Sequence, residues 1–287
     1  MTGLRDALRE SEAKKVAIGH FNVSDPLTLR AVFAAAHELR VPVLIGVSEG
    51  ERAFVGVRQA AALVKSLREE YNYPIFLNAD HTHSLAGVQE AAQAGFDQII
   101  FDASELPFEE NARQTKAAVE AARSINPEVV LEGEVGYIGS SSAILAKRPE
   151  ASLRLTAPQE AAQFVRETGV DVLAPAVGNM HGLLREMVAG QAHKRLDISR
   201  IAEIKKAAGT YLTLHGGSGT EDEDFVAAIK AGMNIVHINT ELRLAWRRGV
   251  EEGLAKNPDE VAPYKILPPA YRRIFEVAKN RLTLFNA

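Results

Sequence analysis

Short apolar runs rich in Val, Ile and Leu recur along the chain, and after each comes a longer stretch in which apolar residues return every three or four positions. That alternation is the signature of βαβ units. Eight strands are predicted, at Val16–Asn22, Val43–Ser48, Ile75–Ala79, Gln98–Asp102, Val129–Val135, Val172–Val177, Tyr211–Leu214 and Ile235–Ile238. Their nearly unbroken apolar character suits parallel strands covered on both faces. The helical stretches between them fall at Pro26–Glu38, Arg52–Glu70, Leu85–Ala94, Glu109–Ala122, Pro158–Glu167, Ile198–Ala208 and Glu221–Ala231. Two carry good start signals, Ser24-Asp25 before Pro26 and Thr156-Ala157 before Pro158 with Glu160.

Eight such units fit a closed (β/α)8 TIM barrel better than an open doubly wound sheet, and the first strand lacks the G-x-G-x-x-G turn of a dinucleotide-binding sheet. A long helix from Glu241 and a terminal helix past Pro268-Pro269 follow the eighth strand. The chain therefore reads as one barrel domain over residues 1–287, with a C-terminal helical extension from about 257 to 287. Two connections, Gly136–Ala157 and Gly178–Leu196, are too long for simple turns. Both belong to the C-terminal rim of the barrel, where active sites are built. The first contains Gly139-Ser140-Ser141-Ser142 and reads as a mobile lid.

Composition narrows the chemistry. The 287 residues are 46% hydrophobic and 24% charged, with a formal net charge of −4 and no cysteine. Those fractions suit a chain that buries a sizeable core. Without cysteine there are no disulfides, thiolate metal sites or cysteine nucleophiles, so a metal must be held by His and carboxylates. No signal peptide and no long apolar span is visible, which makes the cytoplasm the expected location. Scattered Lys and Arg leave no footprint for nucleic acid or an anionic membrane.

Polar residues gather at the strand ends. Strand one ends in His20-Phe21-Asn22, strand two in Ser48-Glu49, strand three in Asn78-Ala79-Asp80-His81-Thr82-His83 and strand four in Asp102-Ala103-Ser104. Strand five carries Glu132 and Glu134, strand six runs to Asn179-Met180-His181-Gly182, strand seven ends in His215-Gly216-Gly217-Ser218-Gly219, and strand eight in His237-Ile238-Asn239-Thr240. Six of the eight histidines lie in these segments, which chance does not explain. Three neutral imidazoles and an open position suit catalytic Zn2+, with Mn2+, Co2+ or Fe2+ as alternatives. The best three are His81, His181 and His215, with His83 and His237 in reserve. Asp80, beside a proposed ligand, is placed for general acid/base work, and Asp102 for orienting an imidazole. The glycine run after His215 offers backbone N–H groups to a phosphate, with Asn239, Thr240 and Arg185 nearby.

These residues resemble the class II, metal-dependent fructose-bisphosphate aldolases and their relatives acting on other ketose phosphates. The likeness runs from Phe21-Asn22-Val23 through Ser48, Asp80-His81, Phe101-Asp102-Ala103-Ser104, Pro107 to Asn111, Glu132 to Gly136, Gly178 to Gly182 and His215 to Gly219, ending at Asn239-Thr240-Glu241. The resemblance implies reversible aldol cleavage of a fructose-1,6-bisphosphate-like ketose phosphate to dihydroxyacetone phosphate and an aldehyde, with a divalent metal, usually zinc, polarising the ketone. It implies His81, His181 and His215 as ligands, Asp80 as acid/base and Glu134 as a metal-linked carboxylate. Gly182, Gly216, Ser218 and Thr240 would hold phosphate, and Asn22, Ser48 and Asn239 would meet the substrate near its reacting carbons. A homodimer or homotetramer is the expected assembly.

Three positions depart from the family pattern. Where the lid usually follows a Gly-Gly segment with acidic residues, this chain has Gly139-Ser140-Ser141-Ser142 and no carboxylate before Glu150. The Asn of strand eight is His237, and the Gly after Asp80-His81 is Thr82. The Lewis acid is kept and the usual proton carrier is missing, so His237, or Glu150 on the lid, is expected to move the proton. Two other readings compete. The His81-Thr82-His83 pair could serve a metal-dependent barrel hydrolase, but it lies on strand three, and Asn239 stands where such enzymes place an Asp. A non-catalytic paralogue would have no need to keep His81, His181, His215 and Asp80 together.

Overall fold

In the computed structural model, which describes residues 3–139, 142–147 and 154–287, the eight predicted strands close into one parallel barrel. They are β1 (Ile18–Asn22), β2 (Val43–Ser48), β3 (Ile75–Thr82), β4 (Gln98–Phe101), β5 (Val130–Val135), β6 (Val172–Pro175), β7 (Tyr211–Leu214) and β8 (Met233–Ile238). Each pairs with its neighbours in chain order, and β8 returns to β1 with His237 opposite His20. The architecture is the expected TIM barrel.

Inside the barrel, side chains two residues apart on a strand point the same way and stack in layers. Ile18, Leu44, Phe76, Val130, Val172 and Ile235 form an apolar layer at the N-terminal end. A helix that the sequence pattern does not predict, Leu4–Lys14, closes that end with Leu4, Ala7 and Leu8. One step of two along four of those strands, the layer turns polar: His20, Asn78, Glu132 and His237 are all buried. A further step reaches the rim at Asn22, Ser48, Asp80 and Glu134. The apolar layer stabilises the fold, and the polar layers above it are what the fold presents for chemistry.

Two departures from prediction shape the rim. The expected Arg52–Glu70 helix is two helices, Glu49–Val55 and Val57–Tyr71, because Gly56 between them has φ +94. The first springs directly from β2, with Ser48 as N-cap and the Glu51 carboxylate accepting the Ser48 N–H at 2.8 Å. Strand β3 continues past Ala79 to Thr82 through a register shift against β4, after which Thr82 pairs with Phe101.

Part of the Gly136–Ala157 connection is a short strand, Ile144–Leu145, paired with Leu183–Leu184 from the connection after β6. Ser140, Ser141 and Glu150 lie outside the described residues. The C-terminal segment lies on the barrel wall. Helix Thr240–Lys256 meets 266–270 through Gly249 and Gly253, where any Cβ would overlap Ala270 and Ile266, and helix Pro268–Phe285 packs against Pro26–Leu39. Among the described residues no helix is long and apolar enough to cross a membrane.

Candidate active site

The register shift in β3 decides what the rim can hold. On a regular strand Asp80 and His81 would point to opposite faces. His81 instead adopts φ +43 at the bulge, a conformation non-glycine residues rarely take, and both side chains reach the cavity. Strained backbone of this kind is characteristic of functional positions.

His81, His181 and His215 come together. Nε2 of His81 lies 3.1 Å from Nδ1 of His215, and one nitrogen from each of the three rings falls within a 4.8 Å group. The outer nitrogens are committed elsewhere. His81 Nδ1 donates to Asp102 Oδ2 at 2.8 Å, His181 Nδ1 donates to the Gly139 carbonyl at 2.6 Å, and His215 Nε2 faces Glu132 Oε1 at 2.7 Å. Such partners fix the tautomer so that the inner nitrogens present lone pairs. Donors around a tetrahedral Zn2+ at about 2.0–2.1 Å stand roughly 3.3 Å apart, close to the His81–His215 spacing.

Charge points the same way. Glu132 and Glu134 are pushed well above 4.5, first by burial and then by the neighbouring carboxylates Asp80 and Asp102. Burial pulls His181, His215 and His237 down, and for His215 this leaves about 3; at His81, Asp80 and Asp102 outweigh it and raise the ring to about 10. The site crowds carboxyl groups around imidazoles and draws in one positive charge. A divalent cation fits it: Glu134 Oε2 has no hydrogen-bond partner among the described residues and lies 3.9 Å from the inner nitrogen of His215.

A cavity of about 270 Å3 opens over this cluster. Of the sequence-predicted residues, Asn22, Ser48, Asp80, His81, His181, Gly182, Gly216, Ser218, His237, Asn239 and Thr240 line it, whereas His215 and Glu134 lie behind the wall. Asn22 Nδ2 donates to Asp80 Oδ2 at 2.8 Å, which leaves Oδ1 free of partners among the described residues and 3.7 Å from His237 Nδ1. Burial pulls His237 well below 6.5, with the charges of His20 and His215 adding to it, so its ring is neutral near neutral pH. His237 is also clamped: it stacks on His20 with centroids 3.5 Å apart and on His215 at 4.0 Å.

The remaining predictions separate clearly. His83 does not join the ligand cluster; it is half-exposed and bound to Glu49 and Asp102. Arg185 does not line the cavity; the arginine that does is Arg243, on helix Thr240–Lys256. Asp102 has the orienting contact expected of it. Ser142 reaches the cavity wall, where its Oγ accepts from Asn239 Nδ2 and its carbonyl accepts from Thr240 Oγ1, both at 3.3 Å.

Sequence reasoning passes over Glu51. Buried at the rim, it accepts from Asn22 Nδ2 at 2.9 Å and from Arg243 at 2.8 Å, and so stands behind the residue that holds Asp80. A signal was present in the Ser48-Glu49-Gly50-Glu51 capping box. His20 is placed by a glycine: a Cβ at Gly46 would overlap its ring.

Comparison with known proteins agrees with this geometry. The sequence model of the family Fructose-bisphosphate aldolase class-II matches residues 2–287. A fructose-bisphosphate aldolase from Thermus caldophilus is 34% identical over 308 residues, covering 100% of this chain and 98% of that protein. One from Geobacillus stearothermophilus is 34% identical over 290 residues, covering 100% and 97%. Among solved structures, the YdjI aldolase from Escherichia coli K12 superposes with a TM-score of 0.82 at 28% identity, over 99% of this chain and 97% of the other.

Proposed function

Because the chain belongs to the class II fructose-bisphosphate aldolase family and is a lyase, we propose that it catalyses reversible aldol cleavage of a ketose phosphate to dihydroxyacetone phosphate and an aldehyde. The observation that carries this reading is the convergence of His81, His181 and His215 under a cavity that Asp80 and His237 also face. His81 and His181 through Nε2, and His215 through Nδ1, would hold one divalent ion, with zinc favoured by the all-imidazole donor set. Bound there, the ion would supply Lewis acidity to a ketone oxygen.

The chain's own residues divide the rest. Gly182, Gly216, Ser218 and Thr240 hold the phosphate, on glycine turns with positive φ at Gly182 and Gly216 that bring backbone close to a ligand. Asn22, Ser48 and Asn239 orient the hydroxyl-bearing carbons. Asp80 takes the proton of the hydroxyl whose carbon becomes the aldehyde and returns it in condensation. Neutral His237 moves the proton at the carbon of the three-carbon half, in place of a lid acid. Glu134 stays buried behind the ligands as a carboxyl that can ionise toward the cation. No nucleic acid or membrane enters this reading. Exposed Trp246, Leu254, Val261 and Tyr264 on the C-terminal segment support a homodimer or homotetramer.

One observation favours a ketose other than fructose 1,6-bisphosphate. Away from the glycine turns the cavity lining includes Asn22, Ser48, Glu49, His83 and Arg243, and the two basic side chains in that set are already paired, His83 with Glu49 and Arg243 with Glu51, so neither is uncommitted for a second phosphate. The test is to load the protein with zinc and offer ketose 1-phosphates and 1,6-bisphosphates, following release of dihydroxyacetone phosphate. Chelator-sensitive release from at least one is expected; no release from any, with zinc, manganese or cobalt, would contradict the reading.

A further inference from the structure

Lys194 lies in the long connection after β6, and only 2% of it is exposed. Its Nζ donates to the carbonyls of Met180 at 2.7 Å, Gly182 at 2.7 Å and Gly216 at 2.8 Å. Three acceptors require three N–H bonds, which an ammonium has and a neutral amine lacks. The backbone of Lys194 is fastened as well: its N–H donates to Gly219 O at 2.8 Å and its carbonyl accepts from Glu221 N at 3.3 Å. One buried cation thus ties the turn at 180–182 to the turn at 216–221.

Those turns touch closely. Gly216 has φ +59, and a Cβ there would overlap the Met180 carbonyl. Their other side is the cavity wall, lined by Gly182, Gly216 and Ser218. Each carbonyl drawn toward Nζ turns the rest of its peptide unit away from it.

We propose that Lys194 is the positioning residue of the phosphate subsite: a tethered ammonium whose three hydrogen bonds set the two glycine turns against which a phosphate dianion binds. This rests on the aldolase reading above for the ligand. A cation held by three carbonyls fills a hole the size of a small monovalent ion, and that gives a test a merely structural lysine would not pass.

Zinc-loaded wild type and Lys194→Ala are titrated calorimetrically with dihydroxyacetone phosphate in tetramethylammonium chloride, and again in ammonium or potassium chloride at equal ionic strength. Wild-type affinity should be the same in all three salts. Lys194→Ala should bind roughly tenfold or more weakly in tetramethylammonium, the scale of a lost charge-assisted contact, and ammonium or potassium should restore most of the loss. KM should carry the defect, with kcat little changed. If Lys194→Ala does not fold, Lys194→Met, which keeps most of the volume, should show the same loss of affinity. Undiminished binding in either variant, a loss indifferent to the salt, or a wild type that itself responds to ammonium overturns the inference while the aldolase reading stands. A wild type with no affinity for dihydroxyacetone phosphate overturns both.

Discussion

Oδ1 of Asp80 lies 3.7 Å from Nδ1 of His237 across the floor of the cavity. The carboxylate is held from one side by Asn22, and the imidazole is stacked between His20 and His215. Two titratable groups of different chemistry thus face one small volume from separate barrel strands, β3 and β8. In an aldol reaction one proton leaves or joins an oxygen and another a carbon, and this pair can serve both.

His237→Ala should lower turnover roughly a hundredfold to ten-thousandfold, the range for loss of a general base, while bound metal per chain is unchanged. Elemental analysis beside steady-state rates checks this. Undiminished turnover with full metal content would remove His237 from the reaction.

The stack that positions His237 depends on Gly46. Gly46→Ala should push the His20 ring out of its place, because the added Cβ overlaps it and the ring is enclosed by His237 and by Asn78, 3.0 Å away. The expected cost is about 1–3 kcal/mol, as for other overpacked cores, together with a loss of activity. A denaturant-unfolding midpoint equal to that of the wild type would show that the barrel interior has slack there.

His20 also gives the interior a pH signature. Burial lowers its ring from 6.5 to about 4. As pH falls through 6.5 the unfolded chain takes up a proton that the folded protein refuses, so stability drops with acidification until about pH 4, where the folded form protonates too. The contribution is roughly 3 kcal/mol at the low end, from about 1.4 kcal/mol per pH interval. Urea unfolding of wild type and His20→Asn at neutral and mildly acidic pH isolates it. The stability difference between the two should move in favour of the variant on acidification; a constant difference would contradict the assignment.

Glu51 acts through Asn22. In Glu51→Gln, one face of the amide must present N–H groups either to Arg243 or to the donors Asn22 and Ser48. A mispaired buried donor costs about 1–3 kcal/mol, and Asn22 then loses its hold on Asp80. A kcat roughly tenfold lower with unchanged metal content is expected, and an unaffected kcat would show that Asn22 is held without Glu51.

Much of this was legible in the sequence, and the illegible part has physical causes. Strand spacing alone placed eight strands, and the clustering of histidines at their ends picked out His81, His181 and His215, the three rings that the fold brings together. The Leu4–Lys14 helix escaped because its charged surface hides a narrow apolar stripe of Leu4, Ala7 and Leu8. The His81 bulge escaped because left-handed backbone at a non-glycine residue leaves no compositional trace; alternation alone would have turned His81 away from Asp80. Glu51 and Lys194 escaped because a carboxylate and a lysine on polar helix and loop segments look solvated until the fold buries them. The stack of His20, His237 and His215 needed the register of β8 on β1, which no local pattern encodes.

The central claim is that the histidine cluster activates the three-carbon half of a ketose phosphate. Its most direct measurement is deuterium uptake from heavy water into dihydroxyacetone phosphate by the zinc-loaded protein, without any aldehyde partner. The account predicts exchange of one hydrogen at the hydroxymethyl carbon next to the ketone, abolished by chelation and by His81→Ala. A fully metal-loaded protein that exchanges no hydrogen and cleaves no ketose phosphate would contradict it.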